Sequence, residues 1–179
     1  MNLPNRLTLF RIILVPFIIY YLNIGDRNIA LFLFLVASIT DFLDGYISRK
    51  YNMVTNLGAF LDPMADKVLI LSVFIEFVAL DEIAAWIVSI VVSREMIVSI
   101  LRAIAGNKGI VISAGKFGKL KTVLQMVTII FMLSSHLLIK YEFGNLLSNI
   151  ILILQYVMMI VTLFSGIEYI FINKEVFEE

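Results

Sequence analysis

Long apolar stretches separated by short polar connections dominate this chain. Six of these stretches have roughly the 20 mainly apolar residues that a helix needs to cross the hydrocarbon core of a membrane. The connections contain helix-breaking residues, such as Gly25 and the Asp81–Glu82 pair. The pattern predicts an all-α polytopic membrane protein with six transmembrane helices, at about 7–25, 29–49, 58–80, 83–105, 117–139 and 147–172.

The composition agrees with lipid as the solvent of this chain. Of the 179 residues, 61% are hydrophobic and 16% are charged, and the mean hydropathy is +0.99. Soluble domains have about 45–50% apolar and about 25% charged residues. Because six helices use most of the chain, we expect a single membrane domain over residues 1–179. The first stretch is too long for a cleavable signal peptide, and the next helix follows it at once.

The charged residues exclude some classes of function and orient the helices. Basic and acidic residues balance at 14 each, which leaves no chain-wide basic field for nucleic acid. Without cysteine, disulfides, thiolate metal sites and a cysteine nucleophile are excluded. Nine basic residues lie at the termini and in the even-numbered loops, against Arg27 and Lys140 in the odd-numbered loops, so we expect both termini in the cytoplasm. The nine are Arg6, Arg11, Arg49, Lys50, Lys108, Lys116, Lys119, Lys121 and Lys174.

Four aspartates lie inside the second and third predicted helices, where ionisable side chains are costly. Asp41 and Asp44 are three residues apart, and Asp62 and Asp66 are four apart, so each pair shares a helix face. The helical rise places all four at about 6–12 Å from the cytoplasmic ends of their helices. In an antiparallel hairpin of these helices, Asp41 would face Asp66 and Asp44 would face Asp62.

Four carboxylates in a low-dielectric pocket require cations, because repulsion and desolvation would otherwise protonate some of them. Oxygen-only ligation favours Mg²⁺, Mn²⁺ or Ca²⁺, and a pair of metals is a known arrangement for phosphoryl displacement. The alternative is that the aspartates make polar packing contacts between helices. Four aspartates in register disfavour this alternative. Nearby, Gly45 and Gly58 leave room for a ligand, Ser48 is small, and Arg49 suits bidentate binding of phosphate.

The spacing of these residues matches a known pattern. The segment from Asp41 to Asp66 is D-x2-D-G-x2-S-R-x8-G-x3-D-x3-D. It resembles the signature of the CDP-alcohol phosphatidyltransferases, with seven of eight fixed positions kept and Ser48 in place of the usual alanine. The six-helix layout and the length also match. The resemblance implies a short N-terminal interfacial segment, a homodimer, and a bacterial cytoplasmic membrane location with the active site facing the cytoplasm.

The resemblance also implies roles for individual residues. Asp41, Asp44 and Asp62 would ligate two divalent cations, Mg²⁺ or Mn²⁺, and Asp66 would serve both as a ligand and as the general base. The residues implied in binding CDP-diacylglycerol are Asn5, Thr8, Asp44, Gly45, Arg49 and Gly58. Helix capping would explain Asn5 and Thr8 nearly as well.

Further stretches resemble the branch of the family whose acceptor alcohol is glycerol 3-phosphate. They are Pro4–Thr8, Asp62–Lys67, Ser93–Arg102 and Gly115–Thr122. Arg94 lies deep in the fourth helix and needs an anionic partner, which is either Glu95 or a substrate phosphate. Arg102 and Lys119 would complete a phosphate pocket. The expected reaction transfers the phosphatidyl group of CDP-diacylglycerol to glycerol 3-phosphate, giving phosphatidylglycerol phosphate and CMP. The basic loop 106–121 is either a cytoplasmic anchor or a flexible lip over this site.

Three other functions are compatible with parts of this pattern. The same chemistry on inositol phosphate, serine or phosphatidylglycerol differs only in the acceptor. A divalent-cation transporter would use the carboxylates as a transit site, but would leave Gly45, Arg49 and Gly58 without a role. A polyprenyl transferase also binds a diphosphate through aspartates and Mg²⁺. Such enzymes carry their aspartate motifs on well-separated helices, whereas here both motifs lie within 26 residues.

Overall fold

The computed structural model of the chain describes residues 3–51, 56–108, 115–139 and 144–174. Within these ranges it contains helices and no strand. The six predicted helices are confirmed, and no end differs from its predicted position by more than four residues. They are α1 (Leu3–Asn23), α2 (Arg27–Lys50), α3 (Asn56–Ala79), α4 (Ala85–Asn107), α5 (Lys116–Ile139) and α6 (Gly144–Ile172).

The largest difference from prediction lies at the start of α1. The resemblance implies a short interfacial segment that runs into a helix beginning near residue 7, and one continuous helix runs from Leu3 to Asn23, so this segment is helical and its place at the membrane surface stays a prediction. Pro4 lies in the first turn, where its missing N–H breaks no hydrogen bond within the helix. The local sequence therefore gives the chain no reason to interrupt the helix between residues 3 and 7.

The apolar helices indicate a membrane-embedded protein. Large apolar side chains lie exposed on several of them, for example Phe32, Phe42 and Phe164. In the described residues, the helices long and apolar enough to cross a membrane number four: Pro4–Asn23, Arg27–Ser48, Phe117–Leu137 and Leu146–Ile172. α3 and α4 are of similar length, but charged side chains such as Asp66 and Arg94 lie near the middle of these helices, so six crossings stay a prediction.

The chain folds into two compact units. The first unit consists of Met1–Glu82 with Leu133–Leu137, and the second consists of Ile83–Met132 with Leu138–Glu179. In the first unit α1 packs against both α2 and α3, and in the second α4 packs against α6. α1 therefore joins the two aspartate-bearing helices. The sequence predicted a hairpin of α2 and α3 without α1 between them.

The turn between α1 and α2 reverses the chain and brings the site residues to one level. Gly25 adopts a φ of +83°, which glycine tolerates without strain. Asp26 caps α2, because its side chain accepts a hydrogen bond from the Ile29 N–H at 3.2 Å. The short turn makes the two helices antiparallel neighbours. The N-terminal part of α1 consequently lies beside the C-terminal part of α2, where Asp41 and Asp44 are found.

Close packing fixes this arrangement. The fully buried Ile18 on α1 shares the core of the first unit with Ala30 and Ala37 on α2, which are seven residues apart and therefore on one face. Small side chains at such positions let two helices approach closely. Phe74 and Phe77 fill the same core from α3 and are fully buried. This apolar core thus holds together the helices that carry the polar residues at one end.

Candidate active site

Four aspartates of the first unit, Asp41, Asp44, Asp62 and Asp66, converge on α1. Arg11 lies at their centre with its side chain 0% exposed. Its Nη1 is 3.0 Å from Oδ1 of Asp41 and 2.7 Å from Oδ1 of Asp66, and its Nη2 is 2.5 Å from Oδ2 of Asp44. One guanidinium therefore joins carboxylates from α2 and α3, which are the two helices that pack on α1.

Thr8 completes the contacts of the fourth aspartate. Its hydroxyl donates to Oδ1 of Asp62 at 2.6 Å and lies 3.4 Å from Oδ2 of Asp44. The carbonyl oxygen of Pro4 lies 3.1 Å from the same hydroxyl. Asp41 and Asp66 thus share Arg11, and Asp44 and Asp62 share Thr8. These are the pairs that the helical register predicts, although the shared partners come from α1.

Helical spacing explains why the side chains meet. Thr8 and Arg11 are three residues apart on α1, so both point to one face of that helix. The aspartate pairs have the equivalent spacing on α2 and α3. Three short polar stripes therefore face one another where α1 packs between the two other helices. We call the four aspartates together with Thr8 and Arg11 the carboxylate cluster.

Exposure differs strongly within the carboxylate cluster. The side chain of Asp44 is 3% exposed, whereas those of Asp41 and Asp66 are 29% and 41% exposed. Arg11 alone cannot neutralise four carboxylates, and its Nε is a buried donor without a hydrogen-bond partner in the described part of the chain. A buried polar group in that state costs free energy, so the cluster as it stands is electrostatically incomplete.

The donor set fits hard divalent cations, because every charged group that faces Arg11 is a carboxylate. In the present arrangement the guanidinium occupies the centre. No three acidic or histidine side chains of the described residues are close enough together to hold one ion. The chemistry of a metal site is therefore present, and the carboxylates are organised around Arg11.

The other residues predicted to bind the nucleotide lie on the same helices. Gly45 is half-buried one residue after Asp44, and Gly58 is buried in the first turns of α3. Asn5 is 4% exposed on α1. The Ser48 hydroxyl donates back to the carbonyl oxygen of Gly45 at 3.3 Å, so Ser48 is satisfied within α2. The side chain of Arg49 lies outside the described residues.

A second polar cluster lies in the second unit, and Glu95 on α4 is its centre. Glu95 accepts from Lys121 on α5, and its Oε1 is also 3.3 Å from Nη1 of Arg94. Nη2 of Arg94 donates to the Ser165 hydroxyl on α6 at 2.5 Å. All four side chains are buried. We call these residues the Glu95 cluster. In it Arg94 has the internal partner that was one of its two predicted alternatives.

Close backbone packing and one unsatisfied donor distinguish Arg94. A Cβ placed on Gly166 of α6 would lie 2.9 Å from Cγ of Arg94, so a larger residue at this position would have to displace that side chain. The Nε of Arg94 is buried without a hydrogen-bond partner among the described residues. Arg102 and Lys119, predicted with Arg94 as phosphate ligands, are both exposed.

Sequence reasoning missed Arg11 and Lys121 as site residues and counted both as cytoplasmic anchors. A usable signal existed for Arg11, because an arginine eight residues into an apolar helix needs an anionic partner. Lys121 had a weaker signal. It lies two residues after Lys119, and of the two lysines only Lys121 shares a helix face with the polar residues Gln125 and Thr128, which are buried with it.

Comparison with known proteins identifies the family of this chain. The model of the CDP-alcohol phosphatidyltransferase family matches residues 1–167, and the chain belongs to this family. It is therefore an enzyme of the phosphatidyltransferase class. Members of the family generally use divalent metal ions.

Individual relatives narrow the comparison. A CDP-diacylglycerol–glycerol-3-phosphate 3-phosphatidyltransferase of Bacillus subtilis is 37% identical over 97% of this chain and 96% of its own length. The enzyme of the same name from Haemophilus influenzae is 36% identical over 97% of this chain and 94% of its own. That of Rickettsia typhi is 43% identical over 70% of this chain and 72% of its own length.

Proposed function

We propose that the protein transfers the phosphatidyl group of CDP-diacylglycerol to glycerol 3-phosphate, giving phosphatidylglycerol phosphate and CMP. The observation that carries this proposal is the convergence of four aspartates from α2 and α3 on Arg11 and Thr8. The choice of acceptor is supported by the names of the relatives, two of which match over nearly their full length.

The aspartates would hold two divalent cations, Mg²⁺ or Mn²⁺. Their oxygen-only chemistry supports this assignment. When bound, such cations supply the positive charge that holds a diphosphate and stabilises a departing phosphate. The protein itself would keep four carboxylates from two helices at one level. The contacts of Arg11 and Thr8 support this role. The ligands would be Asp41, Asp44, Asp62 and Asp66.

Asp66 would be the general base of the reaction. Among the three carboxylates that contact Arg11 it is the most exposed, at 41%, which supports access for an acceptor alcohol. Asp66 would take the proton of the primary hydroxyl. The hydroxyl oxygen would form a bond to the phosphorus that carries diacylglycerol, and the bond from that phosphorus to CMP would break.

CDP-diacylglycerol would bind beside the carboxylate cluster. Gly45 follows Asp44 on α2, Gly58 lies one turn before Asp62 on α3, and neither carries a side chain that would fill space beside its neighbouring aspartate. Arg49 follows one turn after Gly45, and its planar guanidinium suits a phosphate. The N-terminal part of α1 would contribute Asn5 and Thr8, of which Thr8 acts through its hydrogen bond to an aspartate.

The phosphate of the acceptor would bind to basic residues of the second unit, namely Arg94, Arg102 and Lys119. The buried Nε of Arg94, which has no hydrogen-bond partner in the described residues, supports this role because a phosphate oxygen would satisfy it. Lys121 joins the proposed set, because it shares Glu95 with Arg94. The exposed Arg102 and Lys119 would meet the substrate first.

The protein would act in a bacterial cytoplasmic membrane, with six crossings, both termini and the active site on the cytoplasmic side, and as a homodimer. The distribution of lysine and arginine supports the orientation. Cysteines introduced near Lys108 and near Lys140 would test it, since a membrane-impermeant reagent should label opposite sides. Light scattering of the detergent-solubilised protein would test the dimer.

One experiment tests the reaction. The purified protein is incubated with CDP-diacylglycerol and Mg²⁺, and glycerol 3-phosphate, inositol phosphate, serine and phosphatidylglycerol are offered in turn while CMP release is measured. We expect CMP only with glycerol 3-phosphate and none after EDTA. Release with another alcohol would replace the proposed acceptor. Cation flux into liposomes without CMP release under any condition would refute the transferase itself.

A further inference from the structure

We infer that Arg11 is a positioning residue: it is the internal counter-ion of the carboxylate cluster, holding the aspartates together and weakening their affinity for divalent cations. The inference rests on the proposed metal-binding role of the aspartates and adds a residue to which no role was assigned. Its basis is the geometry of one buried side chain with carboxylates from two helices around it.

Arg11 is fully buried, although it carries a charge and lies on an apolar helix. An arginine is kept in such a place only where it has anionic partners. Its partners are Asp41 and Asp44 on α2 and Asp66 on α3, so this one buried side chain ties α1 to both aspartate-bearing helices.

Arg11 contacts one oxygen each of Asp41, Asp44 and Asp66. Each of the three carboxylates keeps an oxygen outside these salt bridges. Asp41 and Asp66 are also partly exposed, so part of their surface is not covered by Arg11. Arg11 is therefore compatible with further ligands on the same carboxylates, and it cannot contact the substrates through its own buried side chain.

A fixed guanidinium within hydrogen-bond distance of three carboxylates attracts them in competition with any cation that binds the same groups. It also repels that cation, and such repulsion is strong where the effective dielectric constant is well below that of water. Arg11 consequently has two opposite effects. It stabilises the folded protein when cations are absent, and it reduces the further stabilisation that the protein gains when cations bind.

The test measures binding of Mn²⁺ and thermal unfolding, and does not depend on turnover. Arg11→Met and Arg11→Gln remove the charge, and Arg11→Lys keeps it. Arg6→Met is the matched control, because Arg6 lies on the same helix and is exposed. Each detergent-solubilised protein is titrated with Mn²⁺ in a calorimeter, and its Tm is measured in EDTA and in saturating Mn²⁺.

We expect both neutral variants to bind Mn²⁺ about tenfold more tightly than the unchanged protein, as removal of one nearby positive charge predicts. Their Tm in EDTA should be lower, and the rise in Tm on adding Mn²⁺ should be larger. Arg11→Lys should bind Mn²⁺ as the unchanged protein does, with a Tm in EDTA between the two. Arg6→Met should change neither quantity.

Two results would overturn the inference. One is a folded neutral variant that binds Mn²⁺ with unchanged or weaker affinity. The other is failure of both neutral variants to fold even in saturating Mn²⁺, because the cations should then replace the missing positive charge. A different result identifies failure of the proposed function: if the unchanged protein binds no Mn²⁺ at all, the aspartates are not a metal site.

Discussion

Replacing Glu95 with glutamine tests the Glu95 cluster most directly. The carboxylate of Glu95 contacts both Lys121 and Arg94, and all three side chains are buried. The amide of glutamine has nearly the same shape but no charge. The substitution therefore leaves two buried cations without their shared counter-ion and changes little else, so we expect a marked loss of stability.

The magnitude follows from the burial of the pair. Removing one partner of a buried ion pair costs about 3–5 kcal/mol, because the remaining charge is left uncompensated. In a protein of this size each kcal/mol shifts the Tm by about 2–4 °C. We expect Glu95→Gln to lower the Tm by roughly 6–20 °C. Combining it with Lys121→Met should recover part of the loss, since one of the two cations that shared Glu95 is then removed.

Thermal unfolding of the purified protein in detergent, followed by circular dichroism, measures this shift. The matched control is Glu168→Gln, which makes the same chemical change at a half-exposed position of α6 in the same unit. We expect the control to stay within about 2 °C of the unchanged protein, because exposed charges contribute little to stability. A Tm for Glu95→Gln equal to that of the control would refute the counter-ion role.

Three further substitutions test the proposed reaction and its support. Asp66→Asn should reduce CMP release at least about 100-fold if Asp66 is the base, and near-normal turnover would contradict that role. Arg102→Ala should raise the KM for glycerol 3-phosphate, and an effect confined to CDP-diacylglycerol would remove it from the acceptor site. Gly166→Ala should cost about 1–3 kcal/mol by overpacking against Arg94. Gly106→Ala, where an added Cβ meets nothing within 4 Å, is its control and should not lower the Tm.

The sequence was sufficient to predict the helices and the aspartate pairs because both depend on local periodicity. Runs of about 20 apolar residues define helices without reference to their neighbours. Spacings of three and four residues place Asp41 with Asp44, and Asp62 with Asp66, on common faces whatever packs against them. The first helix began earlier than predicted because Pro4 is compatible with a first helical turn.

The partners of these residues could not be predicted, because they depend on the rotation of each helix about its axis. Lys119 and Lys121 are separated by about 200° around α5, at roughly 100° per residue, and the one that faces inward is Lys121. Gln125 and Thr128 are buried on the same face as Lys121, at four and seven residues from it, so a polar stripe marked the inner face of this helix although it did not identify Glu95 as the partner. Arg11 was missed for a related reason, since a basic residue near a terminus also satisfies the positive-inside rule.

The zero net charge of the chain conceals two buried clusters of opposite character. In the first unit four carboxylates share the contacts of Arg11 and Thr8, and in the second unit Arg94 and Lys121 share one carboxylate. Each cluster contains more charged groups of one sign than of the other. A charge left in that state inside an apolar protein is costly. The excess of carboxylates matches divalent cations and the excess of cationic groups matches a phosphorylated alcohol, and these are the two kinds of ligand that the proposed transfer requires.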